Sequence, residues 1–502
     1  MSSSTAPRAD IAHLDPAPPV PDGTSLGPRR TGRLLVAGAA TLAAAACATP
    51  AGAAGFGAPR TLSPVGQTAD EPSIAVASTG RTAVVWLQRD RALRHPRYVA
   101  AIGPSPARLG RPTTVRAAAP AAVDVEGVDL TALPGGRFAL CLRRVESRRR
   151  RVALGCAFAS PSGGFGPMRV VTTMPAKDAP ELLTTPRADG TLAVVVLRRS
   201  GAGRRALRSG VLRPSGTLVG WRALATIRTS AFPSVDLASA DDGTVAVAWT
   251  DPVGSSRFST ERRPVLRLMA PGTDAFAAPT AFSPDTTIDS EIGLQSGRDL
   301  LVSFATGGQG DDATTRIVRR RADGTFDAPL GLPRAAKDAA FGPVVQLADG
   351  TPLAVTASGH QSDTDCDDVS ASIVGAGPLV PFDAGITAER LSTPGQIALD
   401  PTAGTLRDGT VIAAWRDSEG DPSRLEVAVR APDGTSFATP RVLPVQVARN
   451  FSLATGGRHA ALAWLTGNRL EGPAHVVVSA FRTAAPYAPA GARPTHPGAP
   501  CS

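Results

Sequence analysis

Short apolar runs separated by glycine turns recur along most of the chain. Ser73-Ile74-Ala75-Val76 precedes Thr82-Ala83-Val84-Val85-Trp86, and Ser234-Val235-Asp236-Leu237 precedes Thr244-Val245-Ala246-Val247-Ala248-Trp249. Thr410-Val411-Ile412-Ala413-Ala414-Trp415 and Ala460-Ala461-Leu462-Ala463-Trp464 repeat the second run. Runs this short, rich in β-branched residues and bounded by glycine, predict strands. A third run, such as Leu425-Glu426-Val427-Ala428-Val429, leads toward a bulky residue with proline close behind. That mark occurs at Phe56…Pro59, Leu109…Pro112, Phe165…Pro167, Phe276…Pro279, Phe326…Pro329 and Phe437…Pro440, with weaker copies at Trp221 and Phe382. Successive marks lie 50 to 56 residues apart.

Each unit therefore holds about four strands, the sheet size of one propeller blade. The expected fold is all-β: a single β-propeller of eight four-stranded blades over 54–484, with seven blades the main rival. The stretch Phe56 to Leu62 is expected to add the outermost strand of the last blade and so close the ring. Independent small sandwiches are disfavoured by size, because a unit of ~54 residues buries too little surface to fold alone. Asp-Gly at Asp242-Gly243, Asp323-Gly324, Asp349-Gly350 and Asp433-Gly434 predicts tight turns with positive φ. Trp86, Trp249, Trp415 and Trp464 recur at one position of the repeat, which predicts packing between blades.

The turns carry a family resemblance. Ala322-Asp323-Gly324-Thr325-Phe326, Pro432-Asp433-Gly434-Thr435-Ser436-Phe437 and Ser162-Gly163-Gly164-Phe165 resemble degenerate Asp-box turns of sialidase-like propellers, over Phe56 to about Arg482. The resemblance implies a blade architecture. Catalysis does not follow from it, since the only tyrosines are Tyr98 and Tyr487 and neither matches the family's nucleophile.

Composition fits this picture. The 502 residues include 51 Gly and 46 Pro, turn formers in quantity, while 42% hydrophobic residues exceed what a disordered chain carries. Residues 1–53 read as a signal peptide: Arg29-Arg30-Thr31-Gly32-Arg33, an apolar run from Leu34 to Ala46, then Ala51-Gly52-Ala53. The paired arginines resemble a twin-arginine signal, and the expected address is secreted or bound to the cell envelope. The run is too short for a stable transmembrane segment. Ala44-Ala45-Ala46-Cys47 lacks the aliphatic residue of a lipoprotein box, so a lipid anchor at Cys47 is not expected. Four cysteines then remain, an even number suited to disulfides in an exported chain. Cys141 and Cys156 lie on two β-like runs around a short Arg-rich turn and are expected to pair, which leaves Cys366 for Cys501 by elimination. Residues 485–502 form a Pro-rich tail, expected to be flexible.

Charge gives the main functional lead. Lys and Arg total 53 against 43 acidic residues, and only Lys177 and Lys337 are lysines. Loops between second and third strands share a face in a propeller, opposite the Asp-Gly turns. In the first units they carry Arg89, Arg91, Arg94 and Arg97; Arg143, Arg144, Arg148, Arg149, Arg150 and Arg151; Arg198, Arg199, Arg204 and Arg205; and Arg257, Arg262 and Arg263. Later units carry Asp311 and Asp312, then Asp363, Asp365, Asp367 and Asp368, then Asp417, Glu419 and Asp421. Guanidinium groups repeated in one loop class suit an anionic polymer or cell-envelope component. Nucleic acid stands behind acidic polysaccharide and cell-wall polymer in that class, and a monomer is expected. Codon bias and ordinary solvation of hairpin tips explain the same arginines without a ligand.

Two other patterns bear on chemistry. Asp363, Asp365 and Asp367 alternate as calcium ligands do but lack the turn glycine, so no cofactor is expected and calcium is the one candidate. Glu71, Glu181 and Glu291 recur every 110 residues at the start of a first strand. A carboxylate pair there could cleave a glycoside, the alternative to non-catalytic binding, and a passive envelope module is the third reading. No serine-elbow, metalloprotease or phosphate-loop motif is present.

Overall fold

The computed structural model describes residues 55–482 apart from 65–66, 91–95, 116–122, 147–149, 162, 179, 202, 229–233, 254–260, 281, 283–286, 307–313, 332–338, 341–342, 360–370, 376–388, 393–397, 418–422, 448–450 and 468–472. The leader 1–53, the tail 485–502, Cys47, Cys366 and Cys501 thus lie outside the described residues. Among the described residues the chain is all-β, with only short 3-10 turns between strands.

Four antiparallel strands make the repeating unit, as the sequence predicts. Unit one contains Thr68–Val76, Thr82–Arg89, Arg97–Gly103 and Thr113–Thr114. Unit two contains Val123–Leu133, Arg137–Glu146, Arg151–Ala159 and Arg169–Pro175; unit three contains Glu181–Pro186, Leu192–Gly201, Arg204–Leu212 and Leu218–Arg228. Units four and five share one hydrogen-bonded sheet, because Glu261 and Arg262 of unit four pair with Ile288 and Thr287 of unit five. Unit six spans Ala339 to Arg390, and unit seven Ala398 to Val447. Unit eight holds Phe451–Gly456, His459–Thr466 and His475–Arg482, and its outer edge is taken by the N-terminal strands. Gly55 and Phe56 pair with Arg482 and Phe481, and Arg60 and Thr61 with Val478 and Val477.

Second strands are buried on both faces, which explains their unbroken apolar runs. In Thr82–Arg89 seven consecutive residues are buried. Val84 and Trp86 point into a cluster with Ala463, Leu465 and Val476 of unit eight, whereas Val85 and Leu87 pack on Phe138, Leu140 and Leu142 of unit two. The period-two alternation of a strand serves both interfaces at once. Further apolar clusters join units two with three, three with four, four with five, five with six, six with seven and seven with eight. Trp86, Trp249, Trp415 and Trp464 are at most 2% exposed; the last three face the unit before their own in chain order, and Trp86 of unit one faces unit eight.

The turns joining first to second strands meet in a matching series. Arg81 donates through Nη1 to Gly136 O at 2.5 Å and Ser160 O at 2.8 Å in unit two. Asp241 N donates to Gly297 O at 2.8 Å, and Arg407 N to Gly457 O at 2.7 Å. Gly243, Gly324 and Gly350 adopt positive φ of 85°, 89° and 83°, as the Asp-Gly pairs predict; Gly434 does not share this. Asp242, Asp323 and Asp349 each accept the N–H of the threonine two residues on, and this holds their carboxyls below the usual range.

Unit eight approaches unit one closely at Gly456, where an added Cβ would stand 2.1 Å from the Val76 carbonyl oxygen. Backbone cannot yield as a flexible side chain does. Gly456→Ala is expected to cost about 2 kcal/mol in urea unfolding, whereas Gly164→Ala, with open space around it, should be neutral. Equal midpoints would show that the first and last units do not pack this way.

Candidate functional site

Arginines fall into two environments. On the turn face several are matched to acceptors. Arg187 is 4% exposed and pairs with Asp274 at 3.2 Å; Arg320 pairs with Asp242 at 3.2 Å; Arg319 and Arg321 share Asp327 at 2.6 and 2.7 Å. The Arg187 and Arg320 contacts join units three with four and four with five, so those guanidinium forks act as cross-unit braces, while Asp327 is held within unit five.

On the hairpin face of unit three one arginine faces another, whereas in unit two Arg151 stands opposite Glu146 and Arg143 opposite Glu126. The strands run further than the loops read from sequence, so Arg143 and Arg144 lie on Arg137–Glu146, and Arg198, Arg199, Arg204 and Arg205 lie on paired strands. Register places Arg199 directly opposite Arg205, with Arg204 opposite Gly201. Like charges directly opposed cost stability. Arg205 is only 4% exposed, an unexpected place for a hairpin residue; burial and Arg199 lower its pKa while Glu181 opposes them. Arg150, Arg151, Arg199 and Arg204 are exposed, and Arg150 adopts a positive φ of 48° at the hairpin tip. Arg198 meets Asp178 at 3.7 Å, a partner that sequence reasoning missed although it lies just before Glu181.

The first hairpin is only partly described. Arg89 ends Thr82–Arg89 and Arg97 begins Arg97–Gly103, where its Nη2 donates to Gln67 Oε1 at 3.2 Å. Arg91, Arg94, Arg148, Arg149 and Arg257 lie outside the described residues, as do the acidic positions Asp311, Asp312, Glu419 and Asp421. So do Asp363, Asp365, Asp367 and Asp368, the calcium candidates. Among the described residues no group of three or more His, Cys, Asp and Glu is placed to hold a metal, and no helix is long and apolar enough to cross a membrane.

The three glutamates lie on three separate units. Glu71 sits in a bulge of Thr68–Val76 with a positive φ of 48°, half-buried. Asp400, also followed by proline, occupies the corresponding bulge of unit seven with a φ of 55° and pairs with Arg416 at 2.8 Å. Glu181 opens the first strand of unit three, with unit two between it and Glu71. Burial pushes the Glu181 carboxyl above its usual range against the pull of Arg205 and Arg143. Glu291 lies on Thr287–Gln295 in unit five. Tyr98, near Glu71, is fully buried; burial first, then Glu71, raises its phenol far above the usual value, so it stays protonated. A phenol in that state makes a poor nucleophile.

Buried carboxylates also join first strands. Asp129 accepts hydrogen bonds from Thr184 of unit three and from Thr131 at 3.3 Å, yet burial raises its pKa. A raised carboxyl pKa adds stability below the unfolded value and loses it as pH rises through the folded one. Asp129→Asn is therefore expected to raise the thermal midpoint at pH 7 and to flatten its decline above pH 4, read by scanning calorimetry across pH. A lower midpoint at pH 7 would show that the ionised form is the stabilising one.

No protein-family model matches this chain, and no curated protein matches it. Solved structures share its general build at low identity. A Dos1 propeller aligns at 11% identity over 86% of this chain and 96% of its own, with a TM-score of 0.49. A polysaccharide lyase of family PL25, an ulvan lyase, aligns at 11% identity over 66% and 87%, TM-score 0.43. A protein of unknown function from Dyadobacter fermentans aligns at 11% identity over 85% and 99%, TM-score 0.35.

Proposed function

We propose that the described units form a closed eight-bladed propeller that binds an anionic polymer through its hairpin face without turning it over. Closure is supported by the apolar cluster between units one and eight and by the N-terminal strands on the edge of unit eight. The binding reading rests on one observation: Arg199 stands opposite Arg205 in the sheet whose turn-face Arg187 is matched to Asp274. Uniform codon bias supplies arginine to both faces. It does not by itself set Arg199 directly opposite Arg205 at one end of a sheet and Arg187 against Asp274 at the other. A row of guanidinium forks attracts carboxylate or sulfate groups, with affinity that falls as salt rises.

The leader read from sequence would put this surface outside the cell, where acidic polysaccharides and anionic wall polymers are met. The test is retention of the full chain on immobilised dextran sulfate and polygalacturonate against neutral dextran. Elution that moves to higher salt on both anionic supports, with unaltered polymer in the flow-through, is expected. Passage through both at low salt would overturn the binding reading, and release of shortened or unsaturated fragments would replace it with an enzyme.

A further inference from the structure

A second pair of arginines meets in unit three. On its third strand Arg204 stands opposite Gly201 of the second strand and opposite Arg228 of the fourth. Arg228 ends that fourth strand, which is the outer edge of the sheet. Both side chains are exposed, and among the described residues neither has a hydrogen-bond or ion-pair partner. Open space adjoins the pair, since a Cβ added at Gly201 would meet nothing within 4 Å. We infer that Arg204 and Arg228 form a two-fork clamp for a sulfate ester, so that the anionic polymer is a sulfated polysaccharide. The inference rests on the anion-binding reading of this face and names the group that it takes.

Residues opposed on neighbouring strands share a face of the sheet, with Cβ atoms ~5 Å apart, and like charges placed so repel one another. An anion between the two guanidinium groups relieves that repulsion and accepts hydrogen bonds from both. The next pair along the same face, Ala206 opposite Thr226, is uncharged, and Arg198, opposite Ala206 on the second strand, is met by Asp178 at 3.7 Å. Arg199 and Arg205 belong to the other face, where Arg205 is buried opposite Ile227 of the apolar cluster with unit four. Arg204 and Arg228 are thus the exposed pair. A carboxylate is planar and presents one edge, which a single fork fills bidentately. A sulfate ester is tetrahedral with three terminal oxygens, so it offers an edge to each of two forks.

Dextran sulfate and carboxymethyl dextran of equal charge density are the probes, because they share a backbone and differ in the anionic group. Both are titrated at one moderate ionic strength into the full wild-type chain, Arg204→Gln, Arg228→Gln, the double variant, and Arg213→Gln/Arg407→Gln, which removes two exposed arginines elsewhere. Wild type is expected to prefer dextran sulfate about ten-fold. Either single replacement should remove most of that preference, because one fork serves both groups alike, and the double variant should lose little more. The Arg213→Gln/Arg407→Gln control should keep it. Equal affinity of wild type for the two polymers, or a preference that survives in the double variant, overturns the inference while the binding reading stands. Binding of neither polymer at low salt overturns both.

Discussion

Removing the Cys141–Cys156 bridge is expected to lower the unfolding free energy by about 3 kcal/mol, the loop-closure value for a link of this span. The two cysteines are 15 residues apart and stand directly opposite on the second and third strands of unit two. They are 3% and 0% exposed and pack with Val152, Leu154, Val194 and Val196 between units two and three. The bridge therefore ties off the hairpin whose ends carry Arg143, Arg144 and Arg151. Urea unfolding of Cys141→Ala/Cys156→Ala against wild type should show a lower midpoint with a similar slope. Because the sulfurs are covered, reductant should act on the native protein only as fast as unit two opens. A midpoint unchanged by the double substitution would mean that the bridge contributes nothing to this hairpin.

That pairing was legible in the sequence because Phe138-Ala139-Leu140-Cys141-Leu142 and Val152-Ala153-Leu154-Gly155-Cys156 flank a short turn, so strand register alone opposed the thiols. The repeat was legible for a related reason. A second strand covered on both faces needs an unbroken apolar run, and Val84-Val85-Trp86-Leu87 shows one. The strand order of units four and five was not, because the pairing of Glu261 and Arg262 with residues of the next unit leaves no periodic trace. The site was legible by address and illegible by detail. Hairpin position located Arg199 and Arg205, but burial of Arg205 and the approach of Arg143 to Glu181 depend on how two sheets pack. Glu71-Pro72 and Asp400-Pro401 were a usable signal for matching bulges, since both acidic residues precede proline at the start of a first strand.

Replacing Arg150, Arg151, Arg199 and Arg204 together by glutamine is expected to weaken binding to dextran sulfate at least about ten-fold at moderate salt. All four are exposed on the hairpin face, so their loss should leave stability within about 1 kcal/mol of wild type. Net charge alone is controlled by replacing Arg213, Arg298, Arg407 and Arg458, exposed residues at strand turns elsewhere. Both variants lose the same formal charge. A polymer drawn only by the protein's overall positive charge would weaken equally for both, whereas a polymer seated on the hairpins distinguishes them. The salt dependence separates the cases again: each guanidinium removed from the true contact lowers the slope of log affinity against log salt by about one. The hairpin variant should show that loss and the control should keep the wild-type slope. Equal slopes and equal affinities would reduce the opposed arginines of unit three to a solvated surface, and the binding face would have to be sought elsewhere on the molecule.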